Sequence, residues 1–357
     1  MPPETTKVSA RQPPSRGCVC ILCVNFLDYG DNNATVCAKQ ASTLATTGRQ
    51  VGGMMASDMK QVEGFAPFGA YRTWYRITGD LNSGKAPIFL LHGGPGVAHN
   101  YIDSYKLLAR DGRAVIHYDQ IGCGLSTHLP EKGGDFWTPQ LFVDELENLI
   151  DHLGQRAGFH VLGQSWGGML GAEYGVRRPK GLKSLVIANS PASMAVWTSE
   201  AMRQRSAMPD EIQYALNKYE AVADYDNPEY KAATDWVYAR HVCRVVPNPP
   251  EVVASFTQTA ADPTVYHTMN GPNEFFVVGT LKDWDITPEL HKIEVPTLVI
   301  SGRHDEATPA CVQPYKDLIK GASQMIFEES SHMPHVEETE FCMGVVGGFL
   351  NAHDQTK

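Results

Sequence analysis

The feature that most restricts the fold of this chain is the motif Gly163-Gln164-Ser165-Trp166-Gly167, which lies between a strand pattern and a helix pattern. Residues 159–162 form a short apolar run typical of a buried strand, and residues 169–176 can form a helix. A serine at this junction occupies a sharp turn, where small flanking residues avoid collisions with backbone. An ordinary glycine turn is the alternative, but the position between strand and helix favours a nucleophilic serine.

Short apolar runs alternate with helical patterns from Gly64 onward, which predicts a mostly parallel central sheet flanked by helices. The predicted strands are residues 72–77, 87–91, 114–118, 159–163, 184–188, 297–301 and 324–328. Helices fall between them, including an amphipathic one at residues 142–153 and a closing one at residues 341–350. The pattern is that of an α/β protein.

Three regions depart from or interrupt this alternation. Residues 1–58 are rich in Pro, Ser, Thr, Gly and Gln without a period of 2 or 3.6, so we expect a disordered N-terminal extension. Residues 191–285 contain helical runs at 211–223 and 230–242 separated by Pro-rich turns, which predicts an inserted helical cap. The sheet core then comprises residues 59–190 and 286–357.

Charge and hydropathy exclude several classes of protein. The net charge is −10 and the pI about 5.7, whereas nucleic-acid binders depend on clustered Lys and Arg. No run of 18 or more apolar residues suggests a membrane span. We therefore expect neither nucleic acid nor membrane as a partner; the oligomeric state is left open.

The eight cysteines do not form a disulfide framework and indicate reduced thiols in the cytoplasm. The cluster Cys18, Cys20 and Cys23 lacks a second Cys/His pair at metal-binding spacing, so no metal is expected. An apolar stretch at residues 18–27 after basic residues leaves a secretory signal as the alternative, but Pro-rich flanks and the absence of a cleavage site argue against export.

A serine hydroxyl needs a base, and that base needs a carboxylate to orient it. Asp305 follows the strand predicted at 297–301, and His332 follows the strand predicted at 324–328. Both lie beyond carboxyl ends of strands, where open α/β sheets assemble their sites. We predict a triad of Ser165, Asp305 and His332, with His335 as a competitor for His332.

The loop His92-Gly93-Gly94-Pro95-Gly96 follows another predicted strand and offers free backbone N–H groups. A tetrahedral intermediate needs such donors for its oxyanion. Gly94 or Gly93, together with the Trp166 amide, are the expected donors. His92 is expected to position the loop.

These motifs, with Tyr118-Asp119-Gln120-Ile121-Gly122 and the segments around Asp305 and His332, resemble the proline iminopeptidases and related L-amino acid amidases of the α/β-hydrolase fold. The resemblance covers residues 62–352. It implies removal of one N-terminal residue, often proline, from short peptides or amino acid amides, without a cofactor. It also implies that Glu274 and Glu306 bind the substrate's amino group, although Glu274 is alternatively a solvated residue of the cap.

Two other functions stay open at this point. An esterase or tailoring hydrolase of a small metabolite would use the same triad without an amino-group clamp. A binding protein on a hydrolase scaffold would not use the triad at all. The positions of Glu274 and Glu306 relative to Ser165 discriminate the first of these from an aminopeptidase.

Overall fold

Over residues 59–354, which the computed structural model describes, eight strands form one sheet in the order β1-β2-β4-β3-β5-β6-β7-β8. The first two pairings, β1 with β2 and β2 with β4, are antiparallel, and the others are parallel. The strands are β1 Gln61–Phe68, β2 Tyr71–Thr78, β3 Ile88–Leu91, β4 Val115–Tyr118, β5 Phe159–Gln164, β6 Leu182–Ala188, β7 Thr297–Gly302 and β8 Ser323–Phe327. This is the predicted mostly parallel α/β sheet. The predicted disordered extension, residues 1–58, lies outside the described residues.

Helices cover the sheet and fill one long connection. They are α1 Pro139–His152, α2 Trp166–Gly175, α3 Met194–Ser206, α4 Asp210–Glu220, α5 Pro228–His241, α6 Pro250–Ala261, α7 Thr264–Met269, α8 Pro309–Leu318, α9 Pro334–Glu337 and α10 Thr339–His353. Two 3₁₀ helices occupy His99–Asp111 and Thr287–Lys292. Helices α3 to α7 all lie between β6 and β7, in the segment where the sequence predicts a cap.

Strand β1 has no counterpart in the sequence prediction. Its sequence contains Gly64 and Pro67, residues that weaken a strand pattern, and most of its side chains are at least partly exposed. It is an edge strand that pairs only with β2. Pairing along the whole of β2 stabilises it, and a local pattern does not report such pairing.

The two faces of the sheet carry separate clusters of buried apolar side chains. Along β3, Phe89 and Leu91 belong to one cluster, whereas Ile88 and Leu90 belong to the other. Successive strand residues point to opposite faces, so the clusters lie on the two sides of the sheet. Burial on both faces explains why the central strands read as continuous apolar runs.

Helix α1 illustrates how the sequence sets an element. The Thr138 side chain accepts a hydrogen bond from the Leu141 amide, and Pro139 occupies the first turn, so the helix begins there. Its inner face buries Phe142, Leu146 and their apolar neighbours, and also one carboxyl, Glu145.

Glu145 is a buried acid in the core. It accepts hydrogen bonds from the Ile121 amide, at 2.9 and 3.0 Å to its two oxygens, and from the Thr73 hydroxyl. Burial, together with the charge of Asp119, raises its pKa to about 8. A raised folded-state pKa means that the native state binds this proton more strongly than the unfolded chain. Its contribution to stability is therefore greatest below about pH 4.3 and declines as pH rises to about 8.

Glu145→Gln is expected to remove this pH dependence, because glutamine fills the site without a charge. The Tm of the variant relative to the wild type should rise by at least about 2 °C between pH 5 and pH 9. Asp144→Asn, an exposed change on the same helix, serves as the control. A Tm difference that stays constant with pH in Glu145→Gln would contradict the assignment.

Candidate active site

The carboxyl ends of the parallel strands meet at one edge of the sheet and carry the predicted site residues. Loop 92–96 follows β3, Ser165 follows β5, Asp305 follows β7 and His332 follows β8. The topology thus gathers segments that lie far apart in the sequence.

Ser165 occupies a strained turn between β5 and α2. Its φ is 57° and its ψ −126°, a region that costs a non-glycine residue free energy and clusters at functional sites. Its amide donates to the Ala188 carbonyl at 2.9 Å, which fixes the turn to β6. A Cβ at Gly163 would overlap the Gly167 carbonyl, and a Cβ at Gly167 would overlap the Leu91 carbonyl. The glycines of the motif are therefore sterically required.

Asp305 and His332 are in direct contact. His332 Nδ1 lies 2.7 Å from Asp305 Oδ1, which also accepts from the Ala307 amide at 2.8 Å. Asn189 Nδ2 donates to Asp305 Oδ2 at 2.6 Å. The carboxylate is fully buried and held by three donors, so it orients the imidazole firmly.

The second imidazole nitrogen, His332 Nε2, faces Glu306, whose Oε1 lies 3.7 Å away. Among the described residues no hydrogen bond joins this nitrogen to Ser165 Oγ, although Ser165 and His332 line the same cavity. Burial acts to lower the pKa of His332, but the carboxylates of Asp305, Glu306 and Glu274 outweigh it and raise the pKa to about 9. The ring is thus favoured as the imidazolium in the empty site.

The competing histidine, His335, points elsewhere. Its Nε2 lies 3.1 Å from the Tyr101 carbonyl oxygen, and its ring stacks on Tyr105 at 4.9 Å between centroids. Burial lowers its pKa to about 3, so it is neutral. His335 is therefore a packing residue in this geometry.

The glycine loop presents one free amide beside Ser165. The Gly93 amide donates to the Tyr101 hydroxyl at 2.7 Å and is already used. Gly94 lines the two cavities next to Ser165, with φ +110°. Trp166 is the first residue of α2, so its amide has no intrahelical acceptor. Of the two predicted glycines, the geometry favours Gly94 as the partner of Trp166.

His92 holds the base of this loop. Its Nε2 accepts from the Gln120 amide at 2.9 Å, which places the proton on Nδ1, 3.0 Å from the Gly93 carbonyl oxygen. Burial lowers its pKa to about 4, so the ring stays neutral. This is the positioning role that the sequence suggested.

Both predicted amino-group residues lie at the site. Glu306 is 4% exposed, and neither of its carboxylate oxygens has a hydrogen-bond partner among the described residues. Glu274 is half-buried and lines the two cavities that flank Ser165. Burial raises the pKa of Glu306 well above its ordinary value, with Glu274 and Asp305 adding to the effect, and burial also raises the pKa of Glu274; in both residues the positive charge of His332 opposes burial and favours the carboxylate. Two carboxyl groups thus lie beside Ser165, and that of Glu306 has no hydrogen-bond donor within the described part of the chain.

Two small pockets flank Ser165, and Gly94 and Glu274 line both of them. The first has apolar walls from Val97, Val242, Phe256 and Met333, and the second from Trp166, Met169, Met194, Trp197 and Leu281. Ser165 itself is only 9% exposed. The serine therefore lies nearly buried between largely apolar walls.

Sequence reasoning missed the side chains that connect the motifs. The Tyr101 hydroxyl donates to Gln164 Oε1, and Gln164 Nε2 donates to the His332 carbonyl at 2.9 Å. Trp166 Nε1 donates to Gln120 Oε1 at 2.8 Å. Gln164 and Gln120 lie inside two of the sequence motifs described above, so the sequence offered a signal for both. Tyr101 lies outside these motifs, and no sequence pattern indicated its role.

Within residues 59–354, no group of three or more His, Cys, Asp or Glu residues is arranged to hold a metal ion. No helix in the same range is both long and apolar enough to cross a bilayer. The N-terminal cysteines Cys18, Cys20, Cys23 and Cys37 lie outside the described residues.

A mostly parallel sheet with a serine on a strained strand-to-helix turn and an Asp–His pair at later strand ends defines an α/β hydrolase, and the α/β hydrolase fold family matches residues 86–339. The proline iminopeptidase of Clostridium botulinum is 39% identical over 298 residues, which are 83% of this chain and 100% of that protein. The chain belongs to the proline iminopeptidase family of α/β hydrolases, which confirms the resemblance seen in its motifs.

Solved structures agree with this assignment. The crystal structure of a proline iminopeptidase from Mycobacterium smegmatis is 51% identical, with a TM-score of 0.78 over 82% of this chain and 99% of that chain. The crystal structure of VinJ is 53% identical, with a TM-score of 0.81 over the same shares.

Proposed function

We propose that this protein is a serine aminopeptidase that releases N-terminal proline from short peptides. The observation that carries the proposal is Glu306, a buried carboxylate with two unpartnered oxygens beside the Asp305–His332 pair and the Ser165 cavity. A free α-amino group has a pKa of about 7.7–8.0 and is largely cationic at neutral pH. A charge-assisted hydrogen bond to this carboxylate compensates both groups for the loss of water.

The catalytic roles follow from the geometry of the triad. Ser165 Oγ attacks the carbonyl carbon of the first residue, and His332 Nε2 takes the serine proton. Asp305 holds the imidazole through Nδ1 and stabilises the imidazolium. His332 then protonates the leaving amine, and a water molecule hydrolyses the acyl-enzyme. An amino acid amide would react identically, with ammonia as leaving group.

The oxyanion of the tetrahedral intermediate binds to the amides of Gly94 and Trp166 in this proposal. The His92 and Gln120 contacts hold these donors in place before substrate arrives. Preorganised donors of this kind contribute about 10²- to 10³-fold each to the rate.

Glu274 and the helical segment 191–285 complete the proposed site. Glu274 comes from this segment, in the turn that follows α7, and forms the second carboxylate of the amino-group clamp. Because the clamp is split between the segment and the sheet core, we assign residues 191–285 as the cap that closes over the substrate. Trp166, Met194 and Trp197 supply apolar surface suited to a proline ring.

A cytoplasmic location is part of the same proposal. The four described cysteines, Cys123, Cys243, Cys311 and Cys342, are unpaired and buried, as reduced thiols are in the cytoplasm. The net charge of −10 gives no support to a nucleic-acid partner.

The proposal is tested by hydrolysis of a proline arylamide beside its N-acetylated twin. The free amine should be cleaved at least about 100-fold faster, because acetylation removes the cation that the two carboxylates bind, and loss of a charge-assisted contact with a buried group costs roughly 3 kcal/mol. Steady-state kcat/KM for both compounds is the measurement. Equal cleavage of the two would instead establish a general esterase or amidase without a clamp.

A further inference from the structure

The contacts of His332 Nε2 do not match those of a base ready to act. The charged group facing this nitrogen is the Glu306 carboxylate at 3.7 Å, and no hydrogen bond to Ser165 Oγ exists among the described residues. Glu306 has no other partner for its two oxygens. In the free enzyme, the Glu306 carboxylate is therefore the counter-ion available to His332 Nε2.

The charge around the ring reinforces this pairing from several elements. Asp305 follows β7 and holds Nδ1, Glu306 is its neighbour in the chain, and Glu274 comes from the cap. From α9, His335 is neutral because burial lowers its pKa to about 3. Three carboxyl groups thus face one imidazole, and His335 adds no positive charge.

The remaining neighbours of the carboxylates are uncharged. Tyr238 and Tyr266, from cap helices α5 and α7, lie close to both Glu274 and Glu306, and burial raises the pKa of each phenol well above its ordinary value. The amino terminus of α2, beside Ser165, contributes only a partial positive charge. Among the described residues, no Lys or Arg acts on Glu306, and the positive charge of His332 is what favours its carboxylate form against burial.

We propose that Glu306 keeps His332 protonated on Nε2 in the empty site, and that the ammonium group of the substrate frees the base by replacing the imidazolium as the counter-ion of Glu306. This deepens the proposed aminopeptidase function and rests on it. Glu306 then selects for a free amine twice, in binding and in turnover.

The proton balance of this step is simple. An imidazolium has no lone pair on Nε2, so it cannot accept the proton of Ser165 Oγ. The ammonium enters with one positive charge, and His332 releases its Nε2 proton to solvent, so the net charge of the cluster is unchanged. The lone pair on Nε2 is then available to Ser165, whose oxygen forms the bond to the substrate carbonyl carbon.

The main test uses p-nitrophenyl acetate, an ester without an amine. Its kcat/KM reports ionisations of the free enzyme, so the wild type should lose activity below about pH 9 as His332 becomes protonated. In Glu306→Gln this acid limb should move at least about 1 pH unit lower, which is about a tenfold gain in ester hydrolysis at pH 7. Rates with Ser165→Ala give the background to subtract.

The matched control is Glu200→Gln. Glu200 accepts a hydrogen bond from Thr308 Oγ1 at 2.6 Å, close in space to the loop of Glu306. Its charge does not contribute to the pKa shift of His332. Its acid limb should coincide with that of the wild type. An acid limb in Glu306→Gln that coincides with the wild type would overturn the proposal.

A second measurement needs no substitution at Glu306. In the wild type, the acid limb of kcat for a proline arylamide reports the complex and should lie at least about 1 pH unit below the acid limb for the ester. Coincident limbs would overturn the proposal. Absence of arylamide hydrolysis would refute the aminopeptidase function itself, while the ester comparison would still decide whether Glu306 holds His332 protonated.

Discussion

Ser165→Ala is expected to lower kcat/KM for a proline arylamide by about 10⁴- to 10⁶-fold, because alanine has no oxygen with which to form the acyl-enzyme. The methyl group fits the space of the serine side chain, so folding should be retained. Labelling by a serine-directed fluorophosphonate should disappear in parallel with the activity.

Ser206→Ala is a suitable control for that experiment. Ser206 ends α3 and donates to the Arg203 carbonyl at 2.7 Å, on an exposed part of the surface. Its activity and labelling should equal those of the wild type. Persistent fluorophosphonate labelling of Ser165→Ala would mean that another residue is the nucleophile.

Asp305→Asn is expected to reduce kcat by about 10²- to 10⁴-fold. Asp305 Oδ1 accepts hydrogen bonds from His332 Nδ1 and from the Ala307 amide, whereas Oδ2 accepts only from Asn189 Nδ2. Asn189 Oδ1 is buried without a partner, so its amide can turn to accept from the new NH₂ group. The variant therefore keeps the imidazole in place, and the activity lost reports the missing charge.

The pH dependence separates this explanation from misfolding. Without the charge of Asp305, the pKa of His332 should fall, and the acid limb of kcat/KM for p-nitrophenyl acetate should move to lower pH. Unchanged thermal stability with a shifted limb is the expected result. If kcat stays within about threefold of the wild type, Asp305 is not the acid of the triad.

The sequence predicted the sheet and placed the three triad candidates because both depend on local signals. Each buried strand is an apolar run, and Ser165, Asp305 and His332 each follow such a run within five residues. The predicted strand bounds lie within about two residues of the observed ones, in keeping with the uncertainty of strand ends. The order of the strands brings the three residues to one edge without further information.

Features that depend on distant contacts could not be predicted in this way. Tyr101 binds Gln164, 63 residues away, from a 3₁₀ helix that lies outside the motifs of the site. Strand β1 exists only through its pairing with β2. Within residues 191–285, the sequence predicted α4 and α5. It did not predict α6, because Pro249 and Pro250 suggested only a turn. The position of Glu274 came from family resemblance rather than from any pattern.

The burial of Ser165 restricts which substrates can reach it. A serine that is 9% exposed is poorly accessible to a loop on a folded protein, whereas a short free chain end can reach it. In the proposed function, this burial protects folded proteins from hydrolysis, and short peptides are the substrates that reach the serine.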